Sequence, residues 1–403
     1  MLDDLAAHVA IPTGHGHAAG LQTYRDALEA RLRTLGAEVR RVTGEPRPVW
    51  ISPRKSDSEI LPAPQPIVIA RHAAAAESPR VLIVGHLDTV HDPEGDFNSL
   101  MIAPNGATAI GPGAADMKGG ILVALNALQA LPQAGIEMNW TVLLNADEES
   151  GSFESASTLR RAAAEHDVGI VVEPALPGGG LAIERMGSGQ FKIEVHGRSA
   201  HVGRDFTYGV SAVNKLAEVI TKLAGLAEPG RGRIVNIGPL QGGSVTNAVP
   251  DFAACWGNVR YANSEAGAEL AVGIDAMSSG SDALPRVVVH RIMSRPAKPK
   301  TPQVEALANA ARAVAEDLGK TLPFVSTGGV CDGNILQDAG LPTIDTLGVR
   351  GGNLHRTDEF VELPSLVERA QLLAVLLARL AEGRVDIGRA DQSAGAPEAA
   401  NRR

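Results

Sequence analysis

Cysteine is nearly absent from this chain: Cys255 and Cys331 are the only two among 403 residues. Thiols this few and this far apart exclude a disulfide framework, and nothing in their use points to an oxidising compartment. Long hydrophobic runs are missing too. No stretch approaches the roughly 18 consecutive apolar residues of a spanning helix, so no spanning helix is expected. The start, Met1-Leu2-Asp3-Asp4, carries no basic and no apolar export region, so a cytoplasmic protein with no membrane partner is expected. Positive charge is in deficit. The 37 Lys and Arg face 46 Asp and Glu, and the formal charge of -9 argues against nucleic acid as a partner, because phosphates need a basic face. Aromatic residues are scarce at 3%, whereas glycine reaches 44, which suits α/β packing with many tight turns.

The apolar patterning bears this out. Leu21, Tyr24, Leu28, Leu32 and Leu35 have helical spacing that stops at Gly36, and 37–42 reads as a strand. Strands are expected at 67–70 and 81–84. Residues 91–115 lack periodicity and hold several Gly, Pro and Asn, so they read as a long loop. A helix is expected from Asp116 to about 131, a buried strand at 140–146, a helix near 154–165 and a short strand at 169–172. From 185 to 296 the order is strand 190–196, helix 210–226, strand 233–239, strand 251–261, helix 264–277, strand 286–292. That βαββαβ order is ferredoxin-like. The Pro-rich stretch 295–302 returns the chain to an α/β region with a helix at 303–319, strands near 322–327 and 342–348, and a helix at 364–380. The expected architecture is therefore an α/β domain in two parts, 1–184 and 297–383, interrupted by an inserted ferredoxin-like domain at 185–296 and followed by a disordered tail at 384–403.

Chemistry-bearing residues recur where strands end. His86 closes the run Val81–Val84 and Asp88 follows two residues on, so both can face one side. Asp116 follows Gly111-Pro112-Gly113. Glu148 and Glu149 close the strand at 140–146, Glu173 closes the strand at 169–172, and His355 ends a Gly-rich loop. Clustered carboxylates repel unless cations compensate. Two divalent ions match the charge of Asp116, Glu149 and Glu173 plus a hydroxide. The ligand count fits as well: His86 and Glu173 on one ion, Glu149 and His355 on the other, Asp116 shared, with an open place for a bridging water. Mixed imidazole and carboxylate ligation favours Zn²⁺, with Co²⁺ or Mn²⁺ also suitable. Glu148, free of metal but adjacent to a ligand, is the expected general base and then acid to the leaving amine. Asp88 is expected to orient His86 or otherwise support the ligands. His91, His196 and His290 read as structural or exposed.

Six segments taken together, Gly-His-Leu-Asp-Thr-Val, Gly-Pro-Gly-Ala-Ala-Asp-Met-Lys-Gly-Gly, Asp-Glu-Glu-Ser-Gly, Val-Glu-Pro, Gly-Arg-Ser-Ala-His and Gly-Gly-Asn-Leu-His-x-x-Asp-Glu, resemble the M20 metallopeptidases over residues 5–380, nearest the glutamate carboxypeptidase (carboxypeptidase G2-like) branch. The resemblance implies a zinc-peptidase-like catalytic domain with two metal ions and an inserted lid, paired into a homodimer through the lids. It also implies roles for three lid residues. His201 stabilises the oxyanion of the partner's site, while Asn247 and Arg260 grip a substrate carboxylate, a task that suits the guanidinium fork. Two features depart from the branch: Arg350, Asn353 and Leu354 stand around the last ligand where small residues are commoner, and a Lys is missing. Glutamate-specific members carry a Lys shortly after the Glu ligand, and here Pro177–Leu181 reads Pro-Gly-Gly-Gly-Leu, so selectivity for glutamate is not implied.

The expected function is hydrolysis of an amide or peptide bond next to a free carboxylate, on a small molecule or short peptide. The alternatives are an N-acyl-amino-acid deacylase of the acetylornithine deacetylase or succinyl-diaminopimelate desuccinylase kind and, from another class, a non-catalytic ligand-binding relative. The last should have lost a ligand or the base, and this sequence lacks neither.

Overall fold

Four consecutive strands of the six-stranded main sheet run parallel, and this places the site. The order is Glu38–Thr43, Pro66–His72, Asn139–Asn145, Arg80–His86, Val168–Val171, Thr343–Ile344, with the first two antiparallel to their inner neighbours. The structure is a computed structural model and describes residues 1–14, 16–51, 63–74 and 77–387. In the central strand every residue after Arg80 is buried, as expected of a parallel strand covered on both faces. His86 pairs in register with Asn145, and Val84 with Val171, so three chain segments leave the sheet side by side at its carboxyl edge. Ligands in open α/β sheets collect at that edge.

Helices cover both faces. Gly120–Gln133 and Leu363–Ala381 pack on each other. The first begins at glycine for a steric reason. A Cβ on Gly120 would lie 1.9 Å from the carbonyl oxygen of Val172, so only glycine lets the helix approach the strand that carries Glu173.

The insert is a four-stranded antiparallel sheet in the order Arg233–Gly242, Phe252–Tyr261, Gly187–His196, Arg286–Arg295. With helices Ala212–Ala224 and Ser264–Asp275 it has the βαββαβ order read from the sequence. Phe191, Ile193, Leu216, Leu223, Leu270 and Ile274 belong to a hydrophobic cluster separate from that of the main sheet. The chain enters and leaves this insert through adjacent strands. Arg185 and Lys298 form a β-bridge, and both side chains reach the buried Asp345. A third contact lies elsewhere. The Trp256 indole N–H donates to the Trp50 carbonyl at 2.7 Å, and the Trp50 ring stacks on His290.

Several elements depart from the pattern reading. Asp116 does not open a helix. It sits in an irregular turn (φ -114°, ψ 91°), and regular helix starts at Gly120. The loop at 91–115 contains short strands, Met101–Ile102 and Thr108–Ile110, in a small sheet with Phe360–Glu362 and Gly351–Gly352. Two further elements had not been foreseen: helix Leu2–Val9, which buries Leu5 and Val9, and strand Leu181–Arg185, which pairs with Phe324–Thr327. Val385 and Ile387 pack against the main core. The rest of the segment expected to be a disordered tail, 388–403, lies outside the described residues. Among the described residues no helix is long and apolar enough to cross a membrane.

Candidate metal centre and active site

The central strand delivers His86, buried, with Nδ1 2.9 Å from the Asp88 carbonyl oxygen. A carbonyl can only accept, so Nδ1 carries a proton, and Nε2 is the nitrogen left to bind a metal once it gives up its own. Nε2 lies 3.2 Å from Asp116 Oδ1. This is the orientation in which an imidazole serves as a ligand through Nε2. Asp88 thus supports the ring through its backbone. Its carboxylate lies 3.5 Å from the same Nδ1 and accepts the N–H of Glu148 at 3.3 Å and of Glu149 at 3.0 Å, fixing the turn that bears both.

That turn follows the strand Asn139–Asn145. Asp147 braces it by accepting the backbone N–H groups of Glu154 and Ser155. Glu173 follows the strand Val168–Val171; it is buried, and its Oε1 has no hydrogen-bond partner. His355 arrives on the loop after the small strand Gly351–Gly352, at a left-handed φ of 65°. Its Nε2 lies 3.5 Å from Asp116 Oδ2 and 3.3 Å from Glu149 Oε2.

The structure therefore brings His86, Asp116, Glu149, Glu173 and His355 to one place, with Glu148 beside them. The ligand atoms of His86, Asp116 and Glu149 lie within 4.8 Å of one another, as do those of His86, Glu148 and Glu173. A carboxylate with an unpartnered buried oxygen is costly. Divalent cations satisfy such an oxygen, and this donor set fits them. Electrostatics agree. Burial alone would push the His86 ring down, but Asp116 and Asp88 hold it well above its ordinary range. Hydrogen bonds to Asp116 and Glu149 raise His355 to about 10. Asp116 is held low: burial opposes ionisation, and the two histidines outweigh it. Burial raises Glu148 to about 8 and raises Glu149 and Glu173 as well. A buried, upward-shifted glutamate is a group able to take a proton and return it near neutral pH.

The three lid residues are placed differently. Arg260 is half-buried, its Nη1 is buried without a partner, and its charged neighbours are Arg295 and Glu148. His201 and Asn247 are exposed. His201 Nδ1 accepts from Gly203 N–H at 3.1 Å, and the Asn247 carbonyl accepts from Val202 N–H at 3.1 Å. Among the described residues no hydrogen bond or ion pair joins either to the metal-site side chains.

Two residues at the site escaped the sequence reading. Arg295, at the end of the last insert strand, is buried, and its Nη2 lies 2.8 Å from Glu148 Oε1 while donating to the Glu148 carbonyl and to Ser152 Oγ, each at 2.6 Å. It stands in a Pro-rich stretch that reads as a linker, so only its charge could have drawn attention. Asp332 is buried and accepts from Ser152 Oγ at 2.6 Å and Asn145 Nδ2 at 2.7 Å, behind the same turn. Nothing local in the sequence marks it.

Imidazoles and carboxylates gathered at the carboxyl edge of a parallel sheet, under a ferredoxin-like insert, define the class of metal-dependent hydrolases acting on peptide or acyl-amino-acid bonds. Residues 82–379 match the model of peptidase family M20/M25/M40, and the chain belongs to that family. Carboxypeptidase G2 of Pseudomonas sp. (strain RS-16) is 28% identical over 383 residues, covering 93% of this chain and 88% of that protein. Succinyl-diaminopimelate desuccinylase 2 of Shewanella loihica is 29% identical over 332 residues, 74% of this chain and 85% of that protein. Among solved structures, a tripeptidase from Staphylococcus aureus superposes with a TM-score of 0.73 at 23% identity, over 94% of this chain and 98% of the other. The protein is an M20-type hydrolase, and the family is one of dinuclear metal enzymes.

Proposed function

We propose that this protein hydrolyses an amide bond adjacent to a free carboxylate, in the manner of a carboxypeptidase. The supporting observation is the pair of guanidiniums, Arg260 and Arg295, brought by two insert strands to a single carboxylate, Glu148. Arg260 Nη1 is buried with nothing to bond. A substrate carboxylate supplies the missing charge and a two-oxygen acceptor for the fork.

His86, Asp116, Glu149, Glu173 and His355 would hold two divalent ions, Zn²⁺ being the natural choice for this donor set. When bound, such ions polarise the scissile carbonyl and acidify water at neutral pH. Glu148 takes a proton from the attacking water and hands it to the departing nitrogen, and the burial that raises its pKa suits it to both halves. Asp88 holds the backbone of Glu148 and Glu149 and the ring of His86, so base and ligands keep one spacing. Arg295 holds Glu148 in place, with Nη2 2.8 Å from Oε1.

The exposure of His201 fits a role in the site of a second copy, and we place a homodimer contact on the insert. Among the described residues its strand Arg233–Gly242 is an unpaired sheet edge with Ile234 and Leu240 exposed, an arrangement that invites a partner strand. Sedimentation of the purified protein tests this. A second substrate reading, N-acyl-amino-acid deacylation, is favoured by the likeness to desuccinylases and by the absence of Lys from Pro177–Leu181.

The test is Glu148→Ala. It should retain two metal ions per chain by elemental analysis and lose roughly 10²-fold or more in kcat on dipeptides and acyl-amino acids. Near-normal turnover in that variant would overturn the mechanism. The faster substrate class separates carboxypeptidase from deacylase.

A further inference from the structure

The motif that ends in His355 continues to Glu359, and no role has been given to that residue. Glu359 is 1% exposed, yet its side chain is saturated with hydrogen bonds. Oε1 accepts the backbone N–H of Ala115 at 2.9 Å and of Asp116 at 3.0 Å. Oε2 accepts the N–H of Gly113 at 3.2 Å and pairs with His91 Nε2 at 2.7 Å. The Glu359 carbonyl also accepts the N–H of Gly111. One buried carboxylate thus holds the whole irregular turn that presents Asp116. The turn has few bonds of its own to fix it. Gly113 is left-handed, and Asp116 and Met117 are non-helical.

Glu359 belongs to the same loop as His355. Asn353 Nδ2 and Arg356 Nε both donate to the Asp358 carboxylate, tying that loop across its base. His355 and Asp116 face each other at 3.5 Å on the far side. The two loops therefore meet twice, once through the ligand atoms and once through Glu359, from residues about 240 positions apart in sequence.

We infer that Glu359, with His91 as its side-chain donor, is the positioning residue that fixes the separation of the Asp116 and His355 ligand atoms, so that the two loops bind metal as one body. This rests on the assignment of Asp116 and His355 as ligands. Glu359 touches neither substrate nor metal and acts through the backbone of Asp116. Partners behind metal ligands typically contribute 10- to 100-fold in affinity.

The experiment uses the full chain. Zn²⁺ and Co²⁺ affinities are measured by competition with a chelator, together with the Co²⁺ absorption spectrum and the melting temperature of the metal-stripped protein. In Glu359→Gln the amide –NH₂ replaces Oε2 and faces the Gly113 N–H, donor against donor. It should weaken the second bound ion at least tenfold and alter the Co²⁺ spectrum. His91→Gln can still donate and should remain within about threefold of wild type, whereas His91→Phe should not. Unchanged affinity and spectrum in Glu359→Gln, even with a lowered melting temperature, would show a merely structural residue and overturn the inference. If Glu359→Gln does not fold, His91→Phe decides: weakened binding supports the inference and unchanged binding overturns it. Wild-type protein that binds no pair of ions would instead overturn the ligand assignment itself, and the two failures are distinguishable.

Discussion

Among the described residues Asp345 is the only carboxylate in ion-pair contact with the two buried cations at the crossover, and its removal should be among the most damaging single changes to this protein. Arg185 donates to Asp345 Oδ1 through Nε at 3.0 Å and Nη2 at 2.7 Å. Lys298 Nζ lies 3.3 Å from Oδ2, at ion-pair distance without hydrogen-bond alignment. The Asp345 and Lys298 side chains are 0% exposed and that of Arg185 6%. Burial opposes ionisation of Asp345, but the two cations hold it below the usual carboxylate range. Breaking a buried pair by deleting one partner costs about 3–5 kcal/mol, because the survivor stays charged in a dry site. Asp345→Ala leaves two survivors that repel each other, so the upper end, about 5 kcal/mol, is expected. Asp345→Asn keeps an acceptor for Arg185 and should cost about 3 kcal/mol. Urea denaturation followed by tryptophan fluorescence reads this directly. Trp50 and Trp256 sit between the catalytic layer and the insert, and a Trp140→Phe background silences the third indole. If both Asp345 variants unfold within 1 kcal/mol of the parent, then water or repacking compensates the cations and the reasoning fails.

Other expectations follow from single contacts. Gly120→Ala should destabilise by about 1–3 kcal/mol or more, since its Cβ falls on the Val172 carbonyl, and should weaken metal binding by displacing Glu173; chelator competition and thermal melts measure both. His8 packs against Tyr24, and burial lowers its pKa from 6.5 to about 4, with Asp4 partly opposing. A lowered histidine disfavours its charged form in the folded state, so its contribution is fully present above pH 6.5 and is lost as pH falls through 4. That difference amounts to roughly 3 kcal/mol. His8→Gln should flatten the stability profile between those values, and an unchanged slope would contradict the assignment.

Some of the candidate-site residues were legible because they close or follow an apolar run, and parallel strands must end on one edge. His86, Glu148, Glu149 and Glu173 carry that signal in the chain itself. The βαββαβ order of the insert was legible for a related reason: its strands are about ten residues long, and Gly187–His196 alternates over most of its length, so its period shows. What could not be read depends on distant partners. Arg295 meets Glu148 across 147 positions, Asp332 meets Asn145 across 187, and Glu359 meets Asp116 across 243. No local period encodes such contacts. Met101–Ile102 and Gly351–Gly352 are two-residue strands, too short to alternate at all. Asp116 read as a helix start because Ile121, Leu122 and Leu125 have helical spacing just beyond it. The carboxylate of Glu359 instead holds the turn open for several residues more.

The Trp50 contact changes what kind of joint the insert has. Two neighbouring crossovers, bridged at Arg185 and Lys298, would by themselves make a single axle for the insert. Trp50 comes from the connection between the first two strands of the main sheet and grips Trp256 and His290 away from that axle. Any swing must either peel that indole off or carry residues 44–51 along with it. The joint is therefore a door with a catch, and the catch belongs to a part of the chain that holds none of the candidate-site side chains.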